Sequence, residues 1–323
     1  MAGIASAETA DALVREAIDA PRHVSYVGQL QTTSWGPNRA TSTVTRVEHR
    51  APDDTRKTYL APPAVYGQYL ITHGAASYLF DPQKKTVTTS QNPASNNPVA
   101  ENDNIVLLSA NYRAISGADE SVAGRSSNTV SLVNKFTGVR AVRLWIDSQS
   151  HIVLAKEIYH ADGSLISRIR FDDIRLTNDI PSGVFTRDTA GYISVAGRNY
   201  AQPSTDLEAT IKNAGFTPMT PKRLPDGFAL VSADVSDVRN IRSLHLLYSD
   251  GVRDLSLFEN ASSAAADFGT LKPQKIHFED HDGNFVNDGP TTLLAWREHG
   301  LAFALVGDLD IKELAAIAAS VVP

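Results

Sequence analysis

The feature that most constrains this chain is a succession of short segments rich in β-branched and aromatic residues, beginning near Val24 and recurring as far as Ile174. Val24, Tyr26, Gly28 and Leu30 alternate with polar positions, and Thr41 to Glu48 is rich in β-branched side chains. Thr58-Tyr59-Leu60, Tyr69-Leu70-Ile71-Thr72 and Ser77-Tyr78-Leu79-Phe80 follow, separated by Pro and Gly turns. Asp81-Pro82-Gln83-Lys84-Lys85 predicts a hairpin turn into Thr86-Val87-Thr88-Thr89. Strands are expected again over Val130–Phe136, Val139–Ile146, Ile152–Tyr159 and Leu165–Ile174, with a Gly-containing turn at His160 to Ser164. This rhythm predicts an antiparallel sheet or barrel. A helix precedes it, with Ala10, Leu13, Val14, Ala17 and Ile18 at helical spacing and Pro21 as the stop. Residues 91–104, dominated by Asn, Pro, Ser, Ala and acidic side chains, read as a loop, and a short helix is expected from Ile105 to about Tyr112.

The 323 residues suffice for two domains. Around residues 188–205 periodicity fades between Gly191, Gly197 and Pro203. The division is therefore residues 1–190, a linker at 191–204, and a second domain at 205–323. Thr205 and Glu208 have capping-box spacing ahead of Leu207, Ile211 and Ala214, with Gly215 as C-cap. Leu224-Pro225-Asp226-Gly227-Phe228 is a turn, and strands are expected at Ala229–Val235, Leu244–Tyr248 and Leu255–Phe258. Thr291–Glu298 and Leu301–Val306 form a hairpin across His299-Gly300, and a last helix runs from Asp310 through Leu314, Ile317, Ala318 and Val321. The fold class is α+β, mostly antiparallel β.

A net charge of -6 without long Lys or Arg runs argues against nucleic acid as a partner. The absence of cysteine rules out disulfides and thiolate metal sites, and is compatible with a bacterial cell envelope. The opening Met1-Ala2-Gly3-Ile4-Ala5-Ser6-Ala7-Glu8 lacks the basic start and apolar run of an intact signal peptide. This fits either a cytoplasmic protein or a mature form beginning with a new Met. No uninterrupted apolar run approaches the ~18 residues of a membrane span.

Most catalytic signatures are missing: G-x-S-x-G, G-x-G-x-x-G, a P-loop and H-E-x-x-H do not occur. A triad, however, need not be local in sequence. His277 and His281, four apart amid Glu279, Asp280 and Asp282, are the best metal or hydrolase candidates. On a helix they would share a face, but Asp282-Gly283-Asn284 favours a solvated turn. Lys84-Lys85 reads as a solvated hairpin tip. The expectation is no catalytic residue, no metal and no cofactor. Strand alternation selects Tyr26, Leu30, Val44, Tyr59, Tyr69, Ile71, Tyr78, Phe80, Trp145 and Ile158 as candidate lining of an apolar cavity for an acyl chain. Ordinary sheet core accounts for the same pattern equally well.

Two sets of segments carry a family resemblance. Leu144-Trp145-Ile146-Asp147, Ile152 to Tyr159, Asp162-Gly163-Ser164-Leu165 and Ile180-Pro181-Ser182-Gly183-Val184-Phe185 resemble the closing strands of LolA/LolB-like domains. Leu224 to Phe228, Leu247-Tyr248-Ser249-Asp250-Gly251-Val252 and Leu255-Ser256-Leu257-Phe258-Glu259 resemble the C-terminal domain of MucB/RseB proteins, as do Gly300 to Gly307 and the closing helix. Val252 stands where that family usually has Leu. The resemblance implies a lipoprotein-carrier-like open β-barrel with helices, then a smaller α+β domain. It also implies a periplasmic negative regulator of an envelope-stress sigma factor. The implied partners are the periplasmic domain of an RseA/MucA-like anti-sigma factor and lipid or lipoprotein acyl chains, with a homo-oligomer left open. The alternative function is a lipid or lipoprotein carrier.

Overall fold

The computed structural model describes residues 9–36, 40–74, 76–91, 105–199, 207–238, 241–261, 266, 268–269, 271–288 and 291–322. The chain divides into two compact units. One comprises Met1–Ser34, Ala40–Asp103 and Tyr112–Asn199; the other comprises Trp35–Arg39, Asn104–Asn111 and Tyr200–Pro323. The predicted Thr205–Glu208 capping box and most of the 91–104 loop lie outside the described residues.

The first unit opens with α1 (Ala10–Asp19), capped by the Thr9 hydroxyl, which accepts the Ala12 amide. Its strands are β1 (Tyr26–Trp35), β2 (Ala40–Arg50), β3 (Asp54–Ala61), β4 (Tyr69–His73), β5 (Ala76–Asp81), β6 (Thr86–Gln91), β7 (Tyr112–Ser116), β8 (Glu120–Val122), β9 (Arg125–Asn134), β10 (Arg140–Asp147), β11 (Val153–Tyr159), β12 (Leu165–Leu176) and β13 (Ile193–Asn199). They form one sheet in the order β13-β6-β5-β4-β3-β2-β1-β12-β11-β10-β9-β7, with β8 on β9. Its two end strands are not paired with each other, so the sheet is open, in agreement with the expected open barrel. The meander predicted over β9 to β12 forms with antiparallel registers. The long-range closure of β1 on β12, from Tyr26 opposite Leu176 to Ser34 opposite Ser167, joins its two runs. Gly28 is required there. A Cβ at that position would lie 2.5 Å from the Asp173 carbonyl oxygen and 3.0 Å from the Phe171 ring.

One face of this sheet carries Tyr26, Val47, His49 and Phe171, all essentially buried. His49 is satisfied on both ring nitrogens, by Thr55 Oγ1 at 2.8 Å and the Pro21 carbonyl at 2.7 Å. Burial holds its pKa below the ordinary value, so it serves as a neutral linker between sheet and helix end.

The second unit contains α2 (Ile105–Asn111), α3 (Leu207–Lys212), β14 (Thr220–Pro221), β15 (Ala229–Val238), β16 (Ile241–Ser249), β17 (Asp254–Asn260), β18 (Gln274–Phe278), β19 (His281–Asp288), β20 (Thr291–Glu298), β21 (Leu301–Gly307), α4 (Ile311–Ala318) and β22 (Val321–Val322). Seven strands pair in the order β15-β16-β17-β21-β20-β19-β18. Alternating burial along β17 and β21 sends Leu255, Leu257, Leu301, Phe303 and Leu305 to one face, where α4 adds Leu314 and Ile317. Asp310 and Glu313 complete the predicted capping box. The helix expected from Ile105 forms, yet it belongs to this second unit although its sequence interrupts the first.

Candidate functional site

The ten candidate cavity residues do not share one face. Register places Tyr69 opposite Phe80, Ile71 opposite Tyr78, and Phe80 opposite Val87. These four predicted residues therefore stand together on one side of β4 and β5. Val44 and Trp145 fall on the same side of the sheet by alternation along their strands. Tyr26, Leu30, Tyr59 and Ile158 face the other way. Tyr26 meets His49 at 5.0 Å between ring centroids, and Tyr59 pairs with Thr45, whose hydroxyl donates to the Leu30 carbonyl. Trp145 is fixed in polar surroundings: its indole N–H donates to Glu120 Oε2 at 2.8 Å, and Arg143 lies over its ring.

The aromatic face of β4–β6 is the most developed of these settings. Ile71, Phe80 and Val87 are buried there, with Tyr69, Tyr78 and Tyr192 packed against them. The Tyr69 ring stacks on Phe80 at 4.6 Å, and Tyr192 meets Phe80 edge-on at 5.1 Å. The Arg56 guanidinium lies 4.2 Å from the Tyr69 centroid and donates to the Val184 carbonyl. Burial, together with the neighbouring Tyr192 hydroxyl, pushes the Tyr69 phenol up to about 12. The chain's own segment thus covers this face through Tyr192, with Val184 tied to Arg56. Sequence reasoning missed Tyr192, because its segment follows β12 by a connection with no periodicity, and it missed Arg56 and Val87, because only the pairing of β3 with β4 and of β5 with β6 puts them on this face.

In the second unit the Tyr248-Ser249-Asp250-Gly251 segment ends β16 in a tight turn. Asp250 is fully buried. Its Oδ1 accepts the amides of Val252 and Arg253, and its Oδ2 receives a bidentate pair from the Arg253 guanidinium at 3.0 and 2.9 Å. Asn111, the last residue of α2, donates its side-chain amide to the carbonyls of Gly227 and Asp250 at 2.8 and 2.9 Å. The predicted Leu224–Phe228 turn and the YSDG turn are thereby joined by a helix that lies more than a hundred residues earlier.

The expected metal candidates separate. β18 and β19 form a hairpin in which His277 faces Asp282 and Phe278 faces His281, so the two imidazoles alternate to opposite sides. The solvated turn expected at Asp282-Gly283-Asn284 is corrected: those residues lie within β19, and the chain turns at Glu279-Asp280 instead. His277 bonds exposed Asp282 at 3.0 Å, and His281 lies 3.0 Å from Glu298. Lys84, at the hairpin tip, pairs with Asp81 at 3.1 Å. Among the described residues, Asp53, Asp54 and His73 bring three potential ligand atoms within 4.8 Å of one another, at two hairpin ends. Arg50 already pairs with Asp54, and its fixed positive charge opposes a dication there.

Fold and turn together define a two-unit, mostly antiparallel β protein with an open sheet and a clamped turn in its smaller unit. The model of the MucB/RseB N-terminal domain matches residues 9–189, more than half the chain, and the protein belongs to that family. A crystal structure of MucB in complex with MucA(peri) is similar over 98% of this chain and 99% of that one, at 15% identity and a TM-score of 0.66. A Pseudomonas aeruginosa MucA/MucB complex is similar over 97% of this chain and 98% of that one, at 15% identity and a TM-score of 0.65. A crystal structure of MucB is similar over 99% of this chain and 99% of that one, at 15% identity and a TM-score of 0.58. At such identity the likeness is one of fold. No curated protein matches the sequence.

Proposed function

We propose that this chain is a periplasmic negative regulator of an envelope-stress sigma factor. It binds the periplasmic part of a membrane-spanning anti-sigma factor, shields it from proteolysis, and releases it on a lipidic signal. One observation carries the reading: the likeness to MucB crystallised with MucA(peri) runs through both units, covering 98% of this chain. A carrier needs only an accessible apolar cavity, and a second unit of matching fold adds nothing to that task. Among the described residues no helix is long and apolar enough to cross a membrane.

The signal would act by linkage. A lipid with higher affinity for the free form than for the partner-bound form shifts the equilibrium toward release. The aromatic face under Tyr192 supports this step, because its cover must move for an acyl chain to enter, which gives two states to bias.

The test is binding of the full chain to the purified periplasmic segment of a neighbouring anti-sigma factor, with and without lipid, followed by native mass spectrometry. The expected result is a complex at ~1 μM, equivalent to about 8 kcal/mol, that dissociates when acyl ligand loads. Lipid bound without any partner complex would favour the carrier reading. Neither partner nor lipid at that concentration overturns the proposal.

A further inference from the structure

The seven-stranded sheet of the second unit has a second face. The first carries Leu244, Leu246, Leu255 and Leu257 into the core, fully buried. Alternation sends their neighbours the other way, and three adjacent strands place Asp234 of β15, His245 of β16 and Ser256 of β17 on that side. Asp234 and His245 are direct cross-strand partners. Ser256 pairs with Leu247 and so sits one diagonal step from His245.

These side chains close into a hydrogen-bonded series. Asp234 Oδ2 lies 2.8 Å from His245 Nδ1, and His245 Nε2 lies 2.9 Å from Ser256 Oγ. A carboxylate only accepts, so Nδ1 carries the proton and donates to Asp234. Nε2 is left as the acceptor of the serine hydroxyl. The Phe258 ring stacks on the imidazole at 4.4 Å and 9°, holding its plane. Side-chain exposure of 12% for His245 and 13% for Asp234 shields the pair from bulk water without sealing it.

We propose that Asp234, His245 and Ser256 form an acyl-accepting triad, with Ser256 an activated nucleophile toward carboxylic esters bearing an apolar acyl group. Leu247 and Val306 flank Ser256 across the ladder, and Phe258 adds an aromatic wall, so the apolar part of an ester has surface to rest on. Ser256 Oγ attacks the ester carbonyl carbon as its proton passes to His245 Nε2. The carbon–oxygen bond to the alcohol then breaks, and the departing alkoxide takes the proton from Nε2. The product is an acyl ester on Ser256. Water, deprotonated by the same nitrogen, cleaves that ester to a free carboxylic acid and restores the hydroxyl. Asp234 is the positioning residue, fixing the tautomer and stabilising the imidazolium.

The site also predicts its own limit. β17 is paired on both sides, with β16 and β21, so its backbone amides serve the sheet and do not form an oxyanion hole. Losing such a donor costs about 10²–10³ in rate, so acylation by activated esters is expected with slow turnover. This activity is independent of the partner-binding reading, and either can fail alone.

The test treats the full chain with a fluorophosphonate probe and, separately, with a p-nitrophenyl acyl ester at mildly alkaline pH, then maps the adduct by mass spectrometry. One adduct on Ser256 is expected, absent in Ser256→Ala. In His245→Ala its rate should fall by about 10²-fold or more, the usual worth of a general base. Asp234→Asn, which keeps volume and can still hydrogen-bond, is the second variant should His245→Ala not fold. It too should slow labelling while its thermal unfolding stays close to that of the parent. No adduct at Ser256 under conditions that label a known serine hydrolase, or an unchanged rate in either folded variant, overturns the proposal. A merely structural polar ladder would alter unfolding and leave labelling untouched.

Discussion

Gly251 has φ of 96°, and a Cβ there would lie 2.3 Å from the Leu108 amide nitrogen and 2.7 Å from its Cα. Both penalties are backbone penalties, which no rotamer change relieves. Gly251→Ala is expected to destabilise the second unit by more than about 2 kcal/mol, read as a lower midpoint in urea unfolding. Glu259 offers a different residue-scale test. It is fully buried, its Oε2 accepts the Met219 amide at 2.9 Å, and its Oε1 has no hydrogen-bond partner among the described residues. Burial pushes its carboxyl from 4.5 up to about 7, and burial raises Asp308 from 3.8 to about 7 as well. A carboxyl raised in the folded state keeps its proton to higher pH than the unfolded chain does. Stability therefore falls as pH rises from about 4.5 to 7 and levels off above. Glu259→Gln should flatten that fall by on the order of 2 kcal/mol, measured by unfolding at pH 5 and at pH 7.5.

At the scale of elements, α2 and α4 depend on single polar anchors. Asn111→Ala removes the donor to two carbonyls, Gly227 and Asp250, in a buried setting. The expected cost is about 2 kcal/mol, seen as faster amide exchange over residues 105–111 and over the 248–253 turn. In α4, Asp310 caps the amides of Lys312 and Glu313. Asp310→Ala should cost about 1 kcal/mol in chemical unfolding, and Asp310→Asn much less, since asparagine caps as well as aspartate does. Elements with strong local signals were legible: α1 before Pro21, the hairpin around Asp81 to Lys85, the β9–β12 meander and the last helix. The β18–β19 hairpin was not, because its turn residues Glu279 and Asp280 carry no glycine and Glu279 itself adopts positive φ.

At the scale of the whole molecule, the second unit is discontinuous in sequence. A fragment beginning at Tyr200 lacks Asn104–Asn111 and so lacks both Asn111 and the helix backbone against Gly251. Its thermal midpoint should lie below that of the same unit within the full chain, and supplying a peptide of residues 104–111 should partly restore it. The candidate site was legible in part for the same reason. Four aromatic and aliphatic positions of β4 and β5 do share a face. Tyr26, Leu30, Tyr59 and Ile158 look identical in the sequence yet turn to the other, because alternation fixes sides within a strand and only pairing fixes them between strands.

The sequence by itself determined which stretches extend and which coil, and the family whose segments it carries. Those follow from local propensity, period and turn chemistry, all written within a few residues of each other. Only the tertiary structure decided that Tyr192 covers the aromatic face, that α2 serves the second unit, and that Asp234, His245 and Ser256 meet. Each of these joins residues through strand register or a long connection. Register is set by the packing of the whole sheet, a quantity that no single window of sequence contains.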